Sequence, residues 1–221
     1  MTNGGRSKES EIAVYLGLGS NLGDREANLR EAIARIKALG LEVVRESSIY
    51  ETEPVGFADQ PWFLNQVIET TILAGLTSEH GPVPGDPETI ATMQAEALLS
   101  DLLQIEHEMG RERVVANGPR AIDVDLLLFG DMIIGHLEED ITHSKEVKEG
   151  LSINLTGIVV PHPRMHLRRF VLEPLCEIAP DIVLPVQRKT CREMLAGLDD
   201  DSVVRISKQR FSTASQLDQR E

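Results

Sequence analysis

The chain has 221 residues, with 36 acidic side chains against 22 basic ones and a formal net charge of -14. That balance argues against nucleic acid or an anionic membrane as a partner, since both reward clustered Lys and Arg, and the length suits one well-buried domain. Its two cysteines, Cys176 and Cys191, belong to no Cys/His cluster of zinc spacing, which suits a reducing cytoplasm rather than a disulfide scaffold or a structural zinc site.

Residues 1–10 are polar with no apolar h-region, and no run reaches 18 apolar residues, so neither secretion nor membrane spanning is expected. IAVYLGLGS (12–20) reads as a strand that runs into the turn NLGD. Leu29, Ile33, Ile36 and Leu39 then recur at helical spacing over 25–39, with Asp24 as N-cap and Gly40 as the stop. LEVVRESSIYET (41–52) is a second strand, EPVGFADQPW a loop, and FLNQVIETTIL (63–73) a third strand. Three prolines and two glycines over 77–90 mark an exposed insertion, after which Leu98, Leu99, Leu102, Ile105 and Met109 predict an amphipathic helix. AIDVDLLLFG (121–130) is the next strand, and 136–155 a second polar excursion. After the segment 157–175 come one short helix and a polar tail from 201.

The order β-α-β-β-α-β is the split βαβ pattern of a ferredoxin-like α+β sandwich, a mainly antiparallel sheet flanked by helices. The sequence predicts one domain over 11–200 between polar tails at 1–10 and 201–221. GLGSNLG looks superficially like a dinucleotide fingerprint, but its spacing is wrong.

Asp123 and Asp125 stand at the head of the most apolar run in the chain. Positions i and i+2 of a strand share a face, so the two carboxylates point the same way, roughly 7 Å apart by the rise per residue. Burying two like charges side by side costs several kcal/mol unless a cation answers them. Arginines gather nearby: Arg111, Arg113 and Arg120 lie just upstream, while Arg164, Arg168 and Arg169, with His162 and His166, fill a stretch without acids between Pro161 and Leu172. Each arginine alone could be a solvated surface charge. Together with paired acids they suit a metal-polyphosphate, because guanidinium forks bind phosphate bidentately and carboxylates hold Mg²⁺. No P-loop motif and no protein-kinase signature accompanies them.

Four segments, YLGLGSNLGD (15–24), YETEPVGFADQPWFLNQVIE (50–69), GRERVVANGPRAIDVDLLLFG (110–130) and VPHPRMHLRRFVLEPLCEIAPD (160–181), resemble the 6-hydroxymethyl-7,8-dihydropterin pyrophosphokinases of folate biosynthesis, in that family's order. The resemblance implies a ferredoxin-like fold and transfer of the β,γ-pyrophosphoryl unit of ATP to the pterin hydroxymethyl oxygen, leaving AMP. It implies that Asp123 and Asp125 bind two Mg²⁺ ions, and that Asp123 is the nearest candidate to assist removal of the hydroxyl proton. Arg111 and Arg120 resemble catalytic arginines on a mobile loop, with Arg113 beside them. His162 and Arg168 resemble phosphate contacts, and Glu106 a structural or nucleotide-side contact. For the pterin, Phe63 and Phe170 match a stacking pair, Asn65 and Thr52 polar contacts, and the backbone near Pro54 and Val55 a lining. ATP and the pterin are the implied small-molecule partners of a cytoplasmic monomer. Asn117 and Val114 depart from the family, which often has Trp and a basic residue there.

Overall fold

The apolar run IAVYL opens β1 (Glu11–Ser20), an inner strand of a six-stranded sheet with a hydrogen-bonded neighbour on each edge. The computed structural model describes residues 11–74, 76–77, 81–82, 85–111, 118–135 and 157–207. The N-terminal tail, the 136–155 excursion, the end of the chain after 207, Arg113, Val114 and Asn117 lie outside the described residues.

After β1, Asp24 accepts a hydrogen bond from Ala27 N at 3.0 Å and starts α1 (Arg25–Ala38), which buries Leu29, Ala32, Ile33 and Ile36. The predicted strand over 41–52 divides into β2 (Glu42–Glu46) and β3 (Tyr50–Thr52), both antiparallel to β4 (Phe63–Leu73). The break falls at Ser47, whose Oγ accepts Val67 N at 3.0 Å while its own N–H donates to Val67 O at 2.9 Å. β5 (Leu76–Thr77) and β6 (Gly81–Pro82) form a two-residue ladder. α2 (Pro87–Glu108) begins inside the stretch predicted as an insertion, because Asp86 caps Thr89 N at 3.0 Å and Pro87 presets the first helical φ. β7 (Asp123–Phe129) then pairs antiparallel with β1.

The order β7-β1-β4, with β2 and β3 along the outer edge of β4, is the split βαβ sheet expected from the sequence. A 3₁₀ turn (Met165–Leu167) leads into α3 (Arg169–Ile178), followed by the ribbon β8 (Val183–Leu184) and β9 (Lys189–Thr190) and by α4 (Cys191–Ala196). The polar tail expected from 201 instead supplies β10 (Val204–Ile206), which pairs with β3 and extends the sheet.

Val14, Leu16, Leu18, Val124 and Leu126 pack with α1 and α2 in one core, whereas Tyr15, Val67, Leu127 and Leu128 pack with α3 in another. Leu127 is an extra residue in the β1–β7 register, between the pairs Leu16–Leu126 and Tyr15–Leu128. The bulge places two consecutive leucines on the α3 face. Below them that face is left to Asp125 and Asp123.

Candidate active site

Two cross-strand rows make the floor of a cleft beside α3. Gly19 lies opposite both Asn65 and Asp123, and Gly17 opposite both Val67 and Asp125. A Cβ on Gly19 would come within 2.9 Å of Asn65 Oδ1, and one on Gly17 would meet Leu127 at 3.4 Å. The run LGLG therefore sends its leucines into the α1/α2 core and keeps the opposite face flat.

The turn after β1 ties this floor to distant chain. Asn21 Oδ1 accepts Arg120 N at 2.7 Å, Asn21 N donates to Arg120 O at 3.1 Å, and Asn21 Nδ2 donates to Gln60 Oε1 and Pro61 O, both at 3.0 Å. Asn28 Nδ2 donates to Ala121 O at 3.0 Å. Two amides thus set the entry into β7 and the position of the loop before β4. Gly17, Gly19 and Asn21 shape the floor and its turn, and reading by motif did not single them out. The signal for the two glycines was their alternation with Leu, which a strand turns into one bare face.

α2 ends in a Schellman turn: Gly110, at φ +83°, donates to His107 O at 3.0 Å, and Arg111 N donates to Glu106 O at 3.0 Å. The reversal lays the Arg111 guanidinium on the buried Glu106 carboxylate and 2.6 Å from Asp123 Oδ1. Arg120 Nη2 meets Asp123 Oδ2 at 2.9 Å. Glu106 also accepts Val124 N at 2.7 Å, so it anchors the first turn of β7. Burial raises the Glu106 carboxyl to about 6 against the opposing hydrogen bond from Val124 and the charge of Arg111.

Asp125 has no such close partner. Burial, then the neighbouring Asp123 charge, pushes its carboxyl up to about 6, although Arg168, Arg120 and Arg111 oppose the shift. His162 Nε2 stands 4.0 Å from Asp125 Oδ1. Burial, with Arg168 and Arg164 close by, holds this imidazole down to about 4, so at neutral pH it is uncharged and the pair is not an ion pair. Its Nδ1 accepts Arg164 N at 3.2 Å, which leaves the proton on Nε2, aimed at the carboxylates.

The cleft has a volume of about 370 Å³. Thr52, Val55, Phe63, Asn65, Arg120, Asp123, Asp125, Arg168 and Phe170 all line it, while Pro54 sits between two lining residues, Glu53 and Val55, and does not line it. Asn65 Nδ2 donates to Thr52 Oγ1 at 2.7 Å. The Arg120 guanidinium carbon lies 5.3 Å from the Phe63 ring centre, and that of Arg168 lies 5.4 Å from Phe170, so each aromatic plane carries a cation. A second cavity of about 320 Å³ holds Glu106, Arg111 and His162 with Leu99, Leu103, Ile158 and Val159. Asp123 and Asp125 line both cavities. Arg113 is outside the described residues and belongs to neither description.

The chemistry of the donors suits magnesium. Among the described residues no group of three or more His, Cys, Asp or Glu could hold a metal, and Mg²⁺ takes one or two carboxylates and draws its other ligands from water and phosphate. Arg120 Nε, buried and without a hydrogen-bond partner among the described residues, is a donor that an anion would satisfy.

The sequence profile for 7,8-dihydro-6-hydroxymethylpterin-pyrophosphokinase matches residues 15–78 and 88–180. The chain is 35% identical over 198 residues to the 2-amino-4-hydroxy-6-hydroxymethyldihydropteridine pyrophosphokinase of Bacillus subtilis, covering 89% of this chain and 91% of that one. It is 37% identical over 194 residues to the protein of the same name from Methylorubrum extorquens, covering 87% and 98%. The folic acid synthesis protein of Pneumocystis carinii is 36% identical over 174 residues, which are 79% of this chain but 18% of that protein. A crystal structure of HPPK-DHPS in complex with substrates superposes with a TM-score of 0.52 at 15% identity, covering 85% of this chain and 43% of that chain, a likeness of fold. The profile runs through β1, β4, β7 and α3, the elements that build the cleft, and the chain belongs to the 7,8-dihydro-6-hydroxymethylpterin-pyrophosphokinase family.

Proposed function

We propose that the chain transfers the pyrophosphoryl unit of ATP to the hydroxymethyl oxygen of 6-hydroxymethyl-7,8-dihydropterin, releasing AMP and forming the pterin diphosphate used in folate biosynthesis. The observation that carries this reading is that Asp123 and Asp125 line two cavities at once, so two substrates can meet over one pair of carboxylates. The pterin takes the cleft: Phe63 and Phe170 stack on its faces, Asn65 and Thr52 bond its polar edge, and the chain around Pro54 and Val55 closes the side. ATP takes the other cavity, with its base against the apolar wall of Leu99, Leu103, Ile158 and Val159 and its phosphates toward β7.

Asp123 and Asp125 would hold two Mg²⁺ ions, which when bound would neutralise charge on the triphosphate. The hydroxymethyl oxygen attacks the β-phosphorus as the bond to the α-phosphate oxygen breaks, and the charge developing there is what the arginines answer. Arg111 and Arg120, now on Asp123, turn to phosphate oxygens. His162 donates from Nε2 as a neutral imidazole, Arg168 adds a charge from the far wall, and Asp123 assists removal of the hydroxyl proton. Glu106 acts through Arg111 and through the start of β7. Cys176 and Cys191 are both free thiols. Among the described residues no helix is long and apolar enough to cross a membrane.

The test is AMP formation from ATP and Mg²⁺ with and without the pterin, read by separating the nucleotides. AMP that needs the pterin is the expected result. Phosphate or pyrophosphate released without any pterin would replace this reading with a metal-dependent phosphohydrolase.

A further inference from the structure

Just before and along β10, the chain makes bonds that extension of the sheet does not require. Asp200 Oδ2 accepts Arg169 N at 2.8 Å, and Asp200 O accepts Arg169 Nε at 2.7 Å, so this segment grips the first residue of α3. Three residues on, Val203 N donates to Glu53 Oε1 at 2.9 Å and Val203 O accepts Glu53 N at 3.3 Å. Val204 then lies beside Thr52 in the ladder. Arg205 pairs with Glu51 at 2.7 Å and lies 4.8 Å above the Trp62 ring, at the far end of the 53–62 loop.

These contacts reach both walls of the cleft. Thr52 and Glu53 line one side and Phe170, next to Arg169, lines the other, whereas Asp200, Val203 and Arg205 do not line it. We infer that the segment from Asp200 to Arg205 is a strap that sets the separation of the two pterin walls, with Asp200 as a positioning residue for Phe170 and Arg205 for the 53–62 loop. This rests on the assignment of the cleft to the pterin. A flat ring between two aromatic faces is sensitive to their spacing, because stacking falls off steeply once van der Waals contact is lost. The nucleotide cavity takes no residue from Thr52, Glu53 or the start of α3, so the strap acts on one substrate only.

The two contacts differ in weight. Asp200 accepts from a main-chain N–H at a part-buried position, while the Arg205 side chain is 62% exposed and its ion pair is correspondingly weak. Asp200→Ala is therefore expected to weaken pterin binding about tenfold, and Arg205→Ala about twofold to threefold. Asp200→Asn, which keeps an oxygen acceptor, falls between wild type and Asp200→Ala.

The experiment is calorimetric titration of the full chain with 6-hydroxymethyl-7,8-dihydropterin and, separately, with Mg²⁺ and a non-hydrolysable ATP analogue. Phe63→Ala serves as a control inside the cleft. Loss of pterin affinity in the strap variants with nucleotide affinity kept, together with a raised pterin KM at a nearly constant kcat, supports the strap. Wild-type pterin affinity in folded Asp200→Ala, or a parallel fall in nucleotide affinity, overturns it. Should Asp200→Ala fail to fold, Asp200→Asn and Arg205→Ala decide by the same criteria. Normal pterin binding by Phe63→Ala would instead overturn the assignment of the cleft, and the strap with it.

Discussion

The two faces of the central sheet are made by the same strands and have opposite fates. β1 sends Val14, Leu16 and Leu18 to one side, where α1 and α2 seal them, and sends Gly17 and Gly19 to the other. β7 sends Val124 and Leu126 to the sealed side, and Asp123 and Asp125 to the open one. Strand chemistry and helix coverage separate the two faces in the same sense. α3 covers the second face only as far as Val67, Leu127 and Leu128, and beyond its first turn no described helix covers the sheet. A sealed face is held by close packing, so each methylene there matters to stability. On the open face the side chains are those proposed to serve a ligand, and burial of the Asp125 carboxylate costs stability there.

The largest expected effect lies on the open face. Asp125→Ala should lower turnover by about a thousandfold or more, because the phosphate charge loses a metal-holding carboxylate. AMP formation at saturating Mg²⁺ measures it, and near-normal turnover would dissolve the contrast between the faces as regards Asp125. Next comes a pair of substitutions on opposite faces. Leu126→Ala should cost about 2–5 kcal/mol in denaturant melts, with the pterin affinity of the folded protein unchanged. Gly19→Ala should cost less, about 1 kcal/mol, because the strand order that Ala gains over Gly partly offsets disturbance of the buried Asn65–Thr52 hydrogen bond. Its Cβ would stand 2.9 Å from Asn65 Oδ1, and displacing that amide should weaken pterin binding about tenfold. If the two variants exchanged these phenotypes, the division of labour proposed for the faces would be wrong.

The smallest effect is a matter of pH. The Asp125 carboxyl titrates near 6 in the folded protein against an ordinary 3.8. The native state therefore keeps this proton over a window in which the unfolded chain has lost it, so ionised Asp125 destabilises above about pH 6 and the penalty fades on acidification toward 4. His162, held down to about 4, works the other way, since acidification through that window favours the unfolded chain. Comparing wild type with Asp125→Asn isolates the carboxylate. Metal-free Asp125→Asn should melt about 2–4 °C higher than wild type at pH 8, on the order of 1 kcal/mol once partial exposure is allowed for. At pH 4 the two should coincide. A gap that persists unchanged at pH 4 would mean that ionisation of Asp125 is not its cause.

The order of elements was legible because periodicity, caps and turns are local. Asp24, Gly40 and the i, i+3, i+4 spacing of Leu29, Ile33 and Ile36 suffice for α1. Asp123 and Asp125 were legible as a same-face pair for the same reason. Asn21 and Asn28 were not, because they bond to residues 99 and 93 positions away. β10 was missed because the alternation Val204-Arg205-Ile206 spans only three residues, too few to stand out in a polar stretch. The earlier start of α2 was present in Asp86 and Pro87, but the surrounding Pro and Gly read as a loop.

By itself the sequence determined which side chains share a face, where helices start and stop, and that two carboxylates with arginines at hand stand together. Those properties follow from backbone geometry and from neighbours within a few residues. Only the tertiary structure decided which face stays open, where the Leu127 bulge falls, which arginine answers Asp123, and how burial moves Asp125 and His162 in opposite directions. Solvation and charge depend on everything within reach in space, and folding brings that together from residues far apart in the chain.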